Sequence, residues 1–302
     1  LFAKPTAGRK RVLILGAGVS GIEAARIASA RGHHVEVWEK RAEVGGQIHL
    51  AVAAPDKGEV QPVWDYRWSV LSTLQVPIRV NMTVDESSLK KFSPDFIIVA
   101  TGAAPSSPPL DMGRLDPSIA VHHAWDLFRT PEKISPGATV TIIGGGMVGI
   151  ELADLLRLKE CRIQVLEMQQ NAASGMARNN RFELLERLAA AGVAVITQCR
   201  IDGIVGKYVK VKVANAEPTE LALGEAVIFA TGPRPNLEVM TAVEASGIAH
   251  ARVGDCNVPG DFMSCLRDAS MVALSIEGPP QRAITQSPQA DGVASPLTGA
   301  HS

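Results

Sequence analysis

Six glycines in two groups, Gly16, Gly18, Gly21 and Gly144, Gly146, Gly149, carry a spacing that suits a pyrophosphate. Each G-x-G-x-x-G stands between an apolar run and a helix-like segment. The first copy reads "RVLILGAGVSGIEAARIASARGHHVEVWEK" and the second "TVTIIGGGMVGIELADLLRLKECRIQVLEM". The chemistry is electrostatic: a helix amino terminus offers unpaired N–H groups and a partial positive charge to a phosphate. The first glycine permits the tight turn, the second lets phosphate approach the backbone, and the third lets helix and strand pack closely. Each copy closes on an acid, Glu39 or Glu167, 23 positions after its first glycine and placed to accept hydrogen bonds from ribose hydroxyls. Glu167 would repel a 2′-phosphate, and "EMQQN" brings no arginine to reward one. That favours NADH over NADPH at the second site.

These residues need elements to hold them. Residues 11–15 read as a buried strand, and residues 19–30 have helical spacing with Ile22, Ala25 and Ile27 facing inward. Gly32 stops the helix and "HVEVWE" supplies a second strand, completing a β-α-β unit of about 30 residues. A further matched pair, "DFIIVATGAAP" around Thr101 and "EAVIFATGPRP" around Thr231, lies 85 and 87 residues after the respective first glycines. Three shared landmarks make an internal repeat. After the first acid, "KRAEVGGQIHL" places Gly45 and Gly46 where a backbone must pass close to a bulky ligand such as FAD. "NRFELLERLAAAGVAVIT" reads as an amphipathic helix, a Gly192 stop and a strand, and "KYVKVKVA" as a half-exposed antiparallel strand. The segment from Gly278, rich in Pro, Ser, Gln and Ala without an aromatic, is expected to be a disordered tail.

Composition sets the class. The 302 residues suffice for two domains, and 30 basic against 31 acidic residues argue against a dominant nucleic-acid surface. No apolar run is long enough for a bilayer, and "LFAKPTAGRKR" lacks the apolar stretch of a signal peptide, so a cytoplasmic enzyme is expected. Leu1 stands where a methionine would, as in a processed or truncated piece of something longer. The four cysteines, Cys161, Cys199, Cys256 and Cys265, form no C-x-x-C and suit neither a zinc nor an iron–sulfur site. They read as reduced, buried thiols, which leaves no reactive dithiol. His122 and His123, in "AVHHAWDLF", read as linker or surface residues between the two folds.

Through "VGGQ", the repeated "ATG" turns, "GGGMVGIELADLL…VLEM" and "VGDC", the chain resembles the flavoproteins with two dinucleotide-binding domains. More closely, it resembles the carboxy-terminal half of the old yellow enzyme-related iron–sulfur flavoenzymes, among them 2,4-dienoyl-CoA reductase, 2-enoate reductase and trimethylamine dehydrogenase. The resemblance covers roughly residues 10–277. It implies a glutathione-reductase-like α/β fold of two Rossmann-like domains, the second inserted in the first. The expected boundaries are 1–115 for the first part of the FAD domain, 116–235 for the NAD(P) domain, 236–277 for the return segment and 278–302 for the tail.

The resemblance also implies the ligands. Gly16, Gly18, Gly21, Glu39, Lys40, Gly46, Gln47 and Val84 would line an FAD site, with Thr101 and Gly102 at its crossover turn. Gly254 and Asp255 would reach the ribityl or phosphate region of the flavin. Gly144, Gly146, Gly149, Glu167 and Gly232 would bind NAD(P)H, with NADH favoured. No catalytic acid, base, nucleophile or metal ligand is expected, because the cofactors carry the hydride chemistry. The barrel that holds FMN, and the cysteines of a [4Fe–4S] cluster, are implied for a missing half or partner subunit, in an oligomeric assembly. The favoured reading is a module passing hydride from NAD(P)H to FAD and electrons onward. Two alternatives stay open: the nucleotide-binding half of an amine dehydrogenase, holding ADP or FAD, and a reductase serving a separate protein, near the small subunit of glutamate synthase.

Overall fold

A computed structural model describes residues 8–214 and 216–276; the expected tail lies outside them. Its frame is a pair of five-stranded parallel sheets. The first is built from β1 (Arg11–Leu15), β2 (His34–Trp38), β3 (Ile78–Arg79), β4 (Phe96–Val99) and β15 (His250–Arg252), in the order β15-β4-β1-β2-β3. The second uses β6 (Ala120–His123), β7 (Thr139–Ile143), β8 (Arg162–Leu166), β9 (Ala194–Ile196) and β13 (Ala226–Phe229), in the order β6-β13-β7-β8-β9. Strands 120–229 thus interrupt a sheet that is finished only at residue 250. The class is α/β, with two Rossmann-like units and the second inserted in the first. All sheet pairings in both are parallel. That explains the runs "VLIL" and "VTII", which are buried on both faces instead of alternating.

Helices cover both faces of the first sheet and one face of the second. They are α1 (Val19–Ala30), α2 (Ile48–Ala53), α3 (Val60–Thr73), α4 (Glu86–Phe92), α5 (Ala124–Arg129), α6 (Met147–Arg157), α7 (Arg178–Ala190), α8 (Met240–Ala245) and α9 (Phe262–Leu274). A meander of β10 (Cys199–Val205), β11 (Tyr208–Val213) and β12 (Thr219–Ala222) covers one face of the second sheet. In β11, Val209 and Val211 are wholly buried while Lys210 and Lys212 face outward, as the alternation predicts. Two short strands, β5 (Ala103–Pro105) and β14 (Pro233–Pro235), pair antiparallel where the chain passes between the sheets.

One prediction of linker character is corrected here. His122 and His123 lie in β6, an edge strand of the second sheet in register with Ile228 and Phe229. The His123 ring packs against Phe229, centroids 6.1 Å apart. An edge strand tolerates polar residues that a central one would not, so composition alone misleads.

Helix α1 carries a buried glutamate. Glu23 meets Arg26 at 2.7 Å, Arg67 of α3 at 3.0 Å and the Ser270 hydroxyl of α9 at 2.9 Å. One carboxylate therefore ties three helices together. Burial pulls its pKa upward, but the Arg26 hydrogen bond, the charges of Arg26 and Arg67 and the Ser270 hydrogen bond outweigh it and hold the carboxyl below its ordinary value. A depressed folded-state pKa gives stability that is present above the unfolded value of about 4.3 and lost as pH falls through the folded value. Glu23→Gln should therefore cost about 3 kcal/mol at pH 7. The gap between the two melting curves should narrow as pH is lowered from 5 toward 3, which thermal denaturation across that range measures.

Candidate functional site

In each sheet the chain leaves the central strand in two directions. β1 has β2 on one side and β4 on the other; β7 has β8 and β13. The crevice outside the carboxyl ends of such strands, at the point where the order reverses, is where α/β sheets bind ligands. Both glycine loops open there, between β1 and α1 and between β7 and α6.

The outer glycines of each loop are explained by the protein itself. Gly16 has φ +108°, and a Cβ on it would lie 2.4 Å from the Ala100 carbonyl oxygen; for Gly144 the values are +107° and 2.4 Å, from Ala230. A Cβ on Gly21 would lie 1.9 Å from the Gly16 carbonyl oxygen, and one on Gly149 would lie 1.9 Å from that of Gly144. The middle glycines differ. Gly18 and Gly146 have φ −83° and −65°, values open to any residue. A Cβ on Gly146 would meet nothing within 4 Å, and one on Gly18 would meet only atoms at 4.0 Å. Neither conformation nor packing asks for glycine at these two positions.

These two glycines are the N-caps of α1 and α6, and neither helix has a side-chain cap. By contrast, α4 and α9 are capped by Asp85 and Asp261, which accept hydrogen bonds from Ser88 and Ser264. The amino termini of α1 and α6 keep their donors and positive ends available to an anion.

The two acids do the same structural work. Glu39 accepts from Ala17 N at 2.8 Å and Arg41 N at 2.9 Å; Glu167 accepts from Gly145 N at 2.6 Å and Gln169 N at 2.7 Å. Each carboxylate pins its glycine loop to the end of the second strand. A carboxylate has about four lone-pair directions, so acceptor capacity remains for a ribose. The Gly145 N–H belongs to a crowded spot, where an added Cβ would stand 2.8 Å from that of Glu167.

Around the first loop the predicted residues converge. Gly45 pairs with Gly18 as an isolated bridge, Gly45 N donates to Ala17 O at 2.8 Å, and Gly46 has φ +57°. Gln47 donates through Nε2 to Asp255 Oδ2 at 3.0 Å, joining residues 208 positions apart. The other Asp255 oxygen accepts from Gly260 N at 3.0 Å and from the Cys265 thiol at 3.3 Å. Burial, then the Asp255 charge and its hydrogen bond, push the Cys265 pKa up to about 12. Cys265 is accordingly a protonated donor. Burial likewise raises the pKa of Cys256, whose thiol donates to Val99 O at 3.0 Å.

Gly254 has φ +64° and donates to Asp268 Oδ2 at 2.8 Å. Thr101 Oγ1 donates to Asn236 O at 2.7 Å, and Asn236 N donates back to Gly102 O at 2.9 Å, so the crossover turn is tied to the return segment. On the second side Gly232, φ +94°, accepts from Ser106 N at 3.2 Å and from its hydroxyl at 3.0 Å. Two further predicted residues lie beside Glu39: Lys40 follows it in the chain, and the segment leading to Val84 is tied to it by Met82 N donating to Glu39 O at 2.8 Å. Lys40 makes an exposed ion pair with Glu238 at 2.8 Å, and Val84 packs against the core beside Trp38 and Leu89.

Sequence reading missed some members. Ala173 donates to Gly145 O at 2.7 Å with φ +48°, matching Gly45 and Ala17 in the first copy. The signal was available: both lie 29 residues after the first glycine of their copy. An arginine also reaches the loop after Glu167. Arg181 of α7 donates to Ala172 O at 2.7 Å and Asn171 Oδ1 at 3.2 Å.

Comparison with known proteins bears on this arrangement. Residues 70–260 match the family model described as pyridine nucleotide-disulphide oxidoreductase, and residues 14–78 match one for an NAD(P)-binding Rossmann-like domain. The chain belongs to the pyridine nucleotide-disulphide oxidoreductase family.

Within that family, the chain is 34% identical over 253 residues to bilirubin reductase of Mediterraneibacter gnavus (strain CC55_001C), covering 84% of this chain and 38% of that protein. It is 30% identical over 275 residues to NADH oxidase of Thermoanaerobacter brockii, covering 89% and 41%. A solved complex of 2-naphthoyl-CoA reductase with 2-naphthoyl-CoA superposes with TM-score 0.81 at 25% identity, covering 91% and 41%. The chain therefore spans about two fifths of these relatives. It corresponds to the nucleotide-binding half of the old yellow enzyme-related flavoenzymes, a family of oxidoreductases. Its two nucleotide-binding domains imply a flavin and a nicotinamide cofactor. Among the described residues no helix is long and apolar enough to cross a membrane, and no cluster of ligating side chains could hold a metal.

Proposed function

We propose that this chain is an electron-input module whose first glycine loop holds FAD and whose second holds NAD(P)H, with NADH preferred. The observation that carries the reading is the pair of middle glycines. Gly18 and Gly146 answer no demand of the fold, yet both sit at uncapped helix amino termini in repeated β-α-β units. A phosphate drawn against the backbone is the physical reason for glycine there.

When bound, the two cofactors supply the hydride transfer themselves. The chain supplies the rest. Gly16 and Gly21 set the first turn, and Glu39 fixes the loop and offers acceptors to a ribose. Gly46 lets the backbone approach the ligand, and Thr101 and Gly102 shape the crossover turn. Gly254 brings the backbone against α1, where its Cβ would overlap Ser20 Oγ at 2.0 Å. Asp255, held by Gln47, Cys265 and Gly260, would offer its carboxylate to the ribityl or phosphate region of a bound flavin nucleotide. Lys40 and Val84 would close the adenosine end. Gly144, Gly149, Glu167 and Gly232 play the matching parts at the second site.

The negative charge of Glu167 supports NADH, and Arg181 is already engaged with Asn171 and Ala172. Gly145→Ala should push Glu167 away from its ribose position and raise the half-saturating NADH concentration about tenfold, roughly 1.4 kcal/mol, without loss of flavin. Steady-state kinetics on the flavin-loaded chain checks this.

Electrons then leave for a half outside these residues, which we assign to an FMN-holding barrel with a [4Fe–4S] cluster. The relatives' extra length supports such a partner. Release and identification of the bound nucleotide is the direct test. FAD supports the module. ADP alone would favour the amine dehydrogenase reading, in which the second site is a relic.

A further inference from the structure

Among the described residues two connections of unlike kind join the units. One connection is the β5–β14 ribbon, three residue pairs long and carrying Pro105, Pro233 and Pro235. A ribbon of that kind is an axis, and an axis alone leaves one rotation free. The other connection starts in the first nucleotide site itself. Gln47, whose side chain holds Asp255, is the N-cap of α2.

Helix α2 has two apolar stripes. Ile48 is buried in the core of the first sheet and Val52 packs against it, four residues on. Leu50 and Ala54, also four apart, are buried in the core of the second sheet beside Trp125 and Phe128 of α5. One short helix is thus a member of both cores.

The turn after it is charged. Lys57 pairs with Glu151 of α6 at 2.9 Å, in a half-buried contact with side chains 31% and 15% exposed. Asp56, in the left-handed region at φ +58°, accepts from Arg187 of α7 at 2.8 Å. Arg187 is itself fixed by Asp154, a buried carboxylate of α6, at 2.6 Å. Asp154 also meets Arg157. The partners on α6 are thus within a few residues of the second glycine loop.

We propose that residues 47–58 are a clasp that sets how the two nucleotide sites face each other, with Asp56 and Lys57 as positioning residues. This rests on the two-nucleotide reading above. The apolar stripes of α2 hold the units together, and they tolerate sliding because apolar contact is not directional. The two ion pairs are directional and choose one orientation. Pairs of this exposure are individually weak, enough to bias an orientation by several-fold but not to fold the chain. Hydride transfer is unforgiving of small displacements, on the order of 100-fold for about 1 Å. A several-fold bias in orientation therefore appears as a several-fold effect on rate while leaving stability almost unchanged.

The test uses charge reversal and a reporter that needs no nucleotide. All four native cysteines are buried. Spin labels can then be placed through Tyr208→Cys on β11 and Met271→Cys on α9, both exposed and in different units. The parent chain should give one narrow distance distribution. Lys57→Glu and Glu151→Lys should each broaden it, and the double exchange Lys57→Glu/Glu151→Lys should narrow it again. In unlabelled protein, flavin reduction at saturating NADH should fall about fivefold in each charge-reversed single variant. The half-saturating NADH concentration should stay within about twofold, and the double exchange should recover the rate. Lys57→Ala, which removes the pair without adding an acid, should lie between parent and Lys57→Glu in both readouts.

A narrow distribution in Lys57→Glu, an unchanged rate at saturating NADH, or a double exchange that fails to recover would overturn the clasp. A parent chain that holds no FAD or ignores NADH would instead overturn the functional reading, and the distances would still report on the clasp.

Discussion

Gly21→Ala should yield a chain that purifies without flavin and is less stable by about 3 kcal/mol. The new Cβ would lie 1.9 Å from the Gly16 carbonyl oxygen and 3.5 Å from the Ala100 side chain. Neither can move freely. Gly16 is locked by its own positive φ and by its N–H donating to Trp38 O at 2.7 Å, while Ala100 directly follows β4 with its N–H on Leu15 O at 2.8 Å. The helix must therefore lift from the strand, and the loop that would meet the pyrophosphate lifts with it. Alanine is otherwise the better helix former, so propensity alone predicts a gain. Denaturant unfolding decides between the two signs.

Gly146→Val should do the opposite. Its Cβ enters space with no atom within 4 Å, and φ −65° with ψ −175° suits a β-branched residue. The chain should fold with normal stability and keep its flavin. Yet the side chain would stand where a phosphate meets the amino terminus of α6, and affinity for NADH should fall at least 30-fold, about 2 kcal/mol. Flavin content, melting temperature and NADH titration together separate the two variants. A Gly146→Val chain that binds NADH normally would mean that the open space over Gly146 serves no ligand.

How much of this was readable from residues alone follows from where the signals are local. The two β-α-β units were legible because glycine spacing, strand runs and the closing acid all fall within one window. The crossover turns were legible because they repeat. Helix α2 was not. "IHLAVA" is apolar on two faces, since it is buried in two cores, and six residues with His49 as the one polar member are too few to show an amphipathic period. The Gln47–Asp255 hydrogen bond spans 208 residues and leaves no local trace, although a family resemblance had already nominated both residues. The β6 histidines were misplaced because an edge strand with polar ends looks like a connection. Arg181 left no local signal because it reaches the loop after Glu167 from α7, well beyond the acid in the chain.

The lesson extends to the acids. Position predicted that Glu39 and Glu167 face a ribose. The structure adds that each already holds the backbone of its own glycine loop. Replacing either would therefore disturb the loop as well as the ligand, and kinetics of such variants would mix two effects. Gly146 lacks that ambiguity, because a side chain there would touch no described atom within 4 Å.

The measurement that tests the central claim most directly is an anaerobic titration of the purified, flavin-loaded chain with NADH, following the flavin absorbance near about 450 nm. The two-site account predicts that the band bleaches in proportion to added NADH, with NADPH much less effective. A flavin band unmoved by either nucleotide would contradict it: the second glycine loop would then hold no working cofactor.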